Sequence, residues 1–420
     1  MDRTIRIARR RARRAAVAAL AALPLALGGC YRSAFNLGKV IPGLGSSDSV
    51  ALHLVLIGDA GLPAPGGEPV MKALRKELGD DPPDRTFVVF LGDNVYPRGM
   101  LDSTAVERRE NERILNDQLA PLLERGVRGV MVPGNHDWAA GSGEGWAAIR
   151  RQAEYVNQHG RGLVEVSPQG GCPGPVVLDF GDYLRLITLD TQWWLQGAPK
   201  PVGRTAVHCR ARTEEEVIDS LRVDLATAGT RRTVVVAHHP VVSGGEHGGY
   251  FDWPTYLFPF HPWARLGGLF ARQDVSGREY RNLRESLGRA FAANPPTVYA
   301  AGHDHNLQVL RRDPARWLLV SGAGIYNHTT AVRAITGSRY ARRASGYMVV
   351  TFLADGRIRL SVRVVDADGD AHEDYSTWLE DKPTRRLQPG EGAPDAAIPP
   401  AEPPSSPAPP APTPSAPPSP

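Results

Sequence analysis

The 420-residue sequence predicts an α/β fold, a sandwich of packed sheets, on three observations. Short apolar runs rich in β-branched residues recur from about residue 52 to 366, helical periodicity sits between several of them, and the body closes on a more purely β stretch, "YMVVTFLADGRIRLSVRVV". A hydrophobic content of 42% supplies ample material for a core, and the body reads as one domain.

The buried strands, in order, are "HLVLI" (53–57), "TFVVFL" (86–91), "GVMV" (129–132), "LRLITL" (184–189), "TVVVA" (233–237), "TVYAA" (297–301) and "WLLVS" (317–321). The segment 103–124 gathers Val106, Ile114, Leu115, Leu119, Leu122 and Leu123 on one broad helical face. A second helix starts at "TEEE", where Thr213 can accept from the backbone amide of Glu216 and Glu216 can reach back as a capping box. A third, "REYRNLRESLGRAFA", repeats Tyr280, Leu283, Leu287 and Phe291 on one face.

Neither end belongs to this body. The first fourteen residues carry seven arginines against one acid, an uncharged "AAVAALAALPLALGG" follows, and "LGGC" ends the run: this order predicts a lipoprotein signal peptide over 1–29 with Cys30 acylated. "RRARR" also fits a twin-arginine export signal. The expected product is an exported cell-envelope lipoprotein, held to a membrane by its N-terminal lipid through a tether over 30–50. The formal charge of +4 belongs to the leader; without it the chain is near −2, which excludes a nucleic-acid footprint. Residues 383–420 end in "PPAEPPSSPAPPAPTPSAPPSP", too poor in large apolar groups to pack, and read as a disordered tail able to solubilise the protein or reach a cell wall. Cys172 and Cys209 remain for an oxidising compartment, either as a disulfide or as two buried thiols.

Five of the strand-like runs pass directly into metal-ligand residue types: "GDAG" (58–61), "GDNVY" (92–96), "GNHD" (134–137), "AHHP" (237–240) and "GHDH" (302–305). Each block alone is turn chemistry. All five in order, each after a β run, bring ligands to the carboxyl ends of strands, where sites assemble in α/β sheets. Gly58, Gly92, Gly134 and Gly302 permit the close backbone approach this requires. Carboxylate, amide oxygen and imidazole without thiol suit Fe, Mn or Zn, and seven candidates exceed what one ion needs, so two ions are expected.

The ordered set GDxG, GDxxY, GNH(D/E), VxxH and GHxH resembles the purple acid phosphatases within the calcineurin-like metallophosphoesterases over most of residues 51–330. "VVVAHHPVVSGGEHG" and "AAGHDHNLQVLRRDPARWLLVSGAG" look most like the tartrate-resistant branch. The resemblance implies a four-layer αββα sandwich of two packed mixed sheets over 51–382. It implies that Asp59, Asp93, Tyr96 and His305 hold Fe(III), that Asp93, Asn135, His238 and His303 hold a divalent Fe, Zn or Mn, and that Asp93 bridges. Tyr96 would bind as a phenolate, because only a strongly acidic ion ionises a phenol of pKa near 10 at neutral pH; the alternative is a phenol packed on the following turn. Two such ions would lower the pKa of a bound water and so supply hydroxide to attack phosphorus. His136 and His247 correspond to residues that bind phosphate and protonate the leaving group, and Asp137 is expected to orient His136.

His239 follows His238 on a strand and is expected to point away from the ions. His53, His159, His208, His261, His328 and His372 are expected at surface or satisfied core positions. Residues 248–275, rich in aromatics, read either as a wall selecting an aromatic or lipid-like ester or as a satellite core, and Trp193 and Trp194 raise the same choice between rim and interior. The function expected is hydrolysis of small phosphate monoesters. A phosphodiesterase or nucleotide-pyrophosphate hydrolase on the same scaffold is the second reading, and a non-catalytic envelope binding lipoprotein the third.

Overall fold

The computed structural model describes residues 34–38, 40–46, 48–197, 199–250, 273 and 277–383. The expected signal peptide, Cys30, the proline-rich stretch from 384 onward and most of 248–275 lie outside the described residues.

Fifteen strands are described. They are β1 (Ala34–Asn36), β2 (Val50–Ile57), β3 (Thr86–Phe90), β4 (Arg128–Met131), β5 (Val164–Val166), β6 (Val176–Phe180), β7 (Leu184–Thr188), β8 (Arg232–Val236), β9 (Val298–Ala301), β10 (Leu307–Leu310), β11 (Trp317–Ser321), β12 (Ser338–Arg342), β13 (Gly346–Leu353), β14 (Ile358–Val365) and β15 (Ala371–Glu380). They form one sheet in the order β15-β14-β13-β2-β3-β4-β5 and a second in the order β1-β12-β10-β11-β9-β8-β7-β6. Both are mixed. β2 to β5 run parallel, as do β7, β8, β9 and β11, while β13 to β15 and β10, β12 and β6 join antiparallel.

The period of two along each strand explains the layers. Leu52, Leu54 and Leu56 of β2 share a buried core with Val234 and Val236 of β8 and Leu307 and Val309 of β10, filling the space between the sheets. Alternate residues, Val55 and Ile57 among them, belong to a second core with the helices. The helices are α1 (Pro69–Asp80), α2 (Arg108–Arg125), α3 (Gly145–His159), the short α4 (Gln192–Leu195), α5 (Glu214–Ala226) and α6 (Arg278–Phe291). α1, α2 and α3 are the crossovers of the first sheet, whereas α5 and α6 flank β8 in the second and pack on one another. The result is the αββα sandwich that the resemblance implies.

Local departures have local causes. The helix expected over 103–124 starts at Arg108, and Val106 before it is fully in solvent. At α5, Thr213 accepts from the Glu216 amide at 3.2 Å, but the Glu216 carboxylate caps the Arg212 amide at 2.6 Å, one residue outside the expected box. Part of the expected tether is a strand. β1 pairs with β12 at the edge of the second sheet, and the Ile41 amide donates at 2.9 Å to Ser376 Oγ of β15, the edge strand of the first. Cys172 and Cys209 form a disulfide, with Cα atoms 5.4 Å apart. Among the described residues no helix is long and apolar enough to cross a membrane.

Candidate metal centre

The carboxyl ends of β2, β3 and β4 in one sheet face those of β8 and β9 in the other, and each delivers side chains to the same place. Asp59 follows β2, Asp93 and Tyr96 follow β3, Asn135 and His136 follow β4, His238 follows β8, and His303 and His305 follow β9. The chain turns sharply to achieve this. Asp59, Asp93 and His303 hold φ values of 58°, 54° and 69°, a left-handed conformation that non-glycine residues adopt at a cost and that clusters at functional sites. Glycine is required at two approaches: a Cβ on Gly134 would sit 2.2 Å from Asp93 N, and one on Gly92 would sit 2.5 Å from His238 Nδ1.

The seven candidate ligands fall into two groups sharing Asp93. In the first, Tyr96 Oη lies 3.0 Å from Asp93 Oδ2, 3.2 Å from Asp59 Oδ1 and 3.0 Å from His305 Nε2. The phenol therefore faces the cluster and does not pack on the following turn. In the second, Asn135 Oδ1 lies 3.0 Å from both His238 Nε2 and His303 Nδ1, and those two nitrogens are 3.2 Å apart. Asp93 Oδ2 joins the two groups, 3.4 Å from His238 Nε2.

Which imidazole nitrogen faces inward is set by what the other one does. His238 Nδ1 donates to the Leu91 carbonyl at 2.8 Å, which leaves the Nε2 lone pair for the cluster. His303 Nε2 donates to the Gln273 carbonyl at 3.0 Å, which leaves Nδ1. His239 lies beside them, but both its nitrogens are engaged, Nδ1 with Thr191 Oγ1 at 2.9 Å and Nε2 with Gln273 Oε1 at 3.0 Å. It stands outside the seven because of these contacts and not through strand alternation, since β8 ends at Val236 and the His239 ring lies 4.6 Å from that of His303.

The electrostatics call for cations. Asp59 and Asp93 are 1% exposed, and among the described residues neither has an arginine or lysine partner. Burial would raise Asp93, but the charges of His238 and His136 outweigh it and hold the carboxyl well below the usual range. Burial likewise opposes protonation of His238, yet Asp93 and Asp59 raise it to about 9. Burial and both carboxylates push the Tyr96 phenol well above 10. A strongly polarising cation would be needed to ionise Tyr96 here. Two carboxylates, a phenol, an amide oxygen and three oriented imidazoles form a donor set that suits hard or borderline metals.

His136 lies at the rim, its side chain 29% exposed; Nδ1 donates to the Pro97 carbonyl at 2.6 Å, and Nε2 is 4.0 Å from Asp93 Oδ2. His247 stacks on the His303 ring with centroids 3.8 Å apart. Asp137 does not orient His136. It is fully buried, and its oxygens accept from the amides of Asn94, Val95 and Gly134 at 2.9, 3.0 and 2.8 Å and from Asn94 Nδ2 at 2.9 Å. Its side chain braces the turn after β3 against the turn after β4, and burial beside Asp93 raises its pKa to about 7.

Two neighbours escaped the sequence reading. The His328 ring is 4.6 Å from His305 and 6.1 Å from Tyr96, so it belongs to the rim and not to the open surface. It follows β11, whose carboxyl end lies on the same edge as that of β9, and this was the available signal. Asp304 is buried and receives the His247 amide at 3.0 Å and the Ser243 hydroxyl, anchoring the loop that carries His247. Trp193 and Trp194 are buried in the core shared with the helices.

The chain is similar to several known proteins. Tartrate-resistant acid phosphatase type 5 of Homo sapiens is 25% identical over 304 residues, 68% of this chain and 76% of that protein. Purple acid phosphatase 17 of Arabidopsis thaliana is 24% identical, over 74% of this chain and 80% of that protein. A solved structure described as "GAP50 the anchor in the inner membrane complex of Plasmodium" shares the fold at 18% identity and a TM-score of 0.50, covering 79% of this chain and 89% of that one. The calcineurin-like phosphoesterase family matches residues 52–307, which span all seven clustered side chains, and the chain belongs to that family.

Proposed function

We propose that the protein is a binuclear-metal phosphomonoesterase of the acid phosphatase type. The observation that carries this reading is the single Asp93 carboxylate set between two groups of donors, Asp59, Tyr96 and His305 on one side and Asn135, His238 and His303 on the other. Those residues would hold Fe(III) and a divalent Fe, Zn or Mn respectively, with Asp93 shared. Two such cations, when bound, supply Lewis acidity toward phosphate oxygens and acidify water.

The chain's own residues do the rest. The Leu91 and Gln273 carbonyls hold His238 and His303 in the tautomers that face the ions. Asn135, a neutral amide among these donors, adds no negative charge and leaves its ion more electrophilic than another carboxylate would. His136, the exposed imidazole nearest Asp93, is positioned to bind the phosphate and to deliver a proton from Nε2 to the departing ester oxygen. His247, stacked on His303 in a glycine-flanked loop, presents a second donor to the same substrate. Export and acylation at Cys30 belong to the same reading, supported by the order of the charged, apolar and small residues that precede it.

Elemental analysis and an optical spectrum of the purified protein, with turnover of p-nitrophenyl phosphate on the same sample, test the proposal. Two metal ions per chain, a visible phenolate-to-iron band and hydrolysis of the monoester are expected. Fewer than one ion per chain after faithful export would sink it. Faster turnover of bis(p-nitrophenyl) phosphate than of the monoester would replace it with a phosphodiesterase.

A further inference from the structure

Behind the loop that carries His247 lies a cavity of about 490 Å³, within the range typical of ligand sites. Ser243, Gly248, Tyr250, Arg284, Arg312 and Arg333 line it, and no carboxylate is among its described lining residues. Three guanidinium groups line one space there without an acidic partner among the described residues. Several other arginines are ion-paired, as in Arg359 with Glu373, Arg185 with Asp179 and Arg210 with Asp224.

The three are held in place by neutral contacts. Arg284 Nε donates to the Val241 carbonyl at 2.6 Å, one terminal nitrogen of Arg312 donates to the Thr336 carbonyl at 3.2 Å, and the Arg333 guanidinium lies 3.8 Å from the Tyr250 ring centroid. Each contact fixes a guanidinium while leaving further N–H groups and the full charge for a ligand. Three like charges around one space repel one another, and an anion removes that cost. The guanidinium fork matches phosphate oxygens in pairs.

The same loop joins this cavity to the metal centre. His247 stacks on His303 on one side, while the next residue, Gly248, lines the cavity. The Arg333 amide donates to the Gly244 carbonyl at 3.0 Å, and Gly245 bridges to Val332, so the arginine-bearing segment is tied to the loop by its backbone. An elongated anion reaching past His247 would meet these arginines.

We propose that this cavity is an anion subsite for a second phosphoryl group of the substrate, so that the preferred esters carry two phosphates on one molecule. The inference rests on the phosphomonoesterase reading above and names its substrate class.

Alkane-α,ω-diyl bisphosphates with three to eight carbons, each compared with the corresponding alkyl monophosphate, provide the test on the metal-loaded full chain. At one or more spacings kcat/KM is expected to exceed that of the monophosphate by at least about tenfold, beyond the twofold due to two reactive ends, and chiefly through KM. The double variant Arg284→Gln/Arg333→Gln, and separately the exposed Arg312→Gln, should reduce that preference while p-nitrophenyl phosphate turnover stays within about twofold of the parent. No preferred spacing, or a preference that survives both variants, would overturn the proposal. If the parent hydrolyses no monoester, the phosphomonoesterase reading fails, and calorimetry with butane-1,4-diyl bisphosphonate decides the cavity by itself. Binding weakened at least about fivefold by the variants supports the subsite, and equal binding by parent and variants rules it out.

Discussion

The Tyr96 phenol oxygen lies 3.0 Å from Asp93 Oδ2, the carboxylate oxygen that also faces His238 Nε2 at 3.4 Å. One oxygen thus touches both halves of the donor set, and replacing it should disturb both. Asp93→Ala is expected to leave fewer than one ion per chain and to lower kcat/KM by at least about a thousandfold, several kcal/mol of lost charge stabilisation. Tyr96→Phe should abolish the visible band while leaving the divalent ion. Elemental analysis with absorption spectroscopy separates the two, and an Asp93→Ala protein that keeps two ions would remove the shared-ligand assignment.

The His136 imidazole comes no closer than 4.0 Å to the Asp93 carboxylate, rests against the Tyr96 ring with centroids 4.3 Å apart, and is partly open to solvent. His136→Ala should therefore keep both ions and slow turnover by about 10²- to 10⁴-fold. The loss should grow with the pKa of the leaving group, because a good leaving group needs no proton. Rates for a series of substituted phenyl phosphates measure this directly, and a uniform loss across the series would leave His136 as a binding group only.

Asp137 predicts a different signature. Its carboxylate accepts four N–H donors from two turns, and Asp137→Asn would turn an NH2 group toward at least one of them. Losing one charge-assisted bond and leaving a buried donor unmatched should lower stability by about 2–4 kcal/mol. Metal retention should weaken with it, since both turns carry ligands. The dependence on leaving group should match that of the parent, which separates bracing from proton transfer in one denaturation curve and one substrate series.

The contrast between these residues shows what could be read from the chain alone. Asp59, Asp93, Asn135, His238 and His303 were legible because each follows an apolar run, and a strand that ends fixes where its next side chains go. The seven sit together as the resemblance implies, although they come from two sheets. Asp137 misled because it is adjacent in sequence to His136. Adjacency does not fix direction after a sharp turn, and here the side chain points inward to Asn94 while the imidazole points out. His328 offered only the weak signal of following β11, and the arginines of the cavity offered none. Each is an isolated residue on a loop or helix, and only the tertiary arrangement of 241–250, 284 and 328–333 brings them near the site.

The disulfide closes a loop of sequence separation 37 between Cys172 and Cys209, which lie with Ala206 in a small buried cluster of their own. The loop-closure entropy removed from the unfolded chain corresponds to about 3–4 kcal/mol. Cys172→Ser/Cys209→Ser should lower stability by an amount of that order, read in urea at fixed metal content. Because neither cysteine touches the seven clustered side chains, kcat in the absence of denaturant should be unchanged, and a large loss of kcat would place the crosslink among the elements that hold the site.

His53 links stability to pH away from the metal centre. Its ring is largely buried, with Nδ1 3.1 Å from Thr351 Oγ1 and Nε2 3.5 Å from Asp81 Oδ1, and burial, assisted by the Arg363 charge, lowers its pKa from 6.5 to about 4. The folded state therefore holds His53 neutral where the unfolded chain would protonate it. The stability this difference represents is complete above pH 6.5 and is lost as pH falls from there to about 4, by about 3 kcal/mol at most. His53→Gln cannot take up that proton, so its stability should fall less steeply over the same interval, and the parent and variant curves should converge toward pH 4. Urea midpoints at half-unit pH steps measure both slopes. Parallel curves would mean that His53 titrates normally in the fold and that acid sensitivity arises elsewhere.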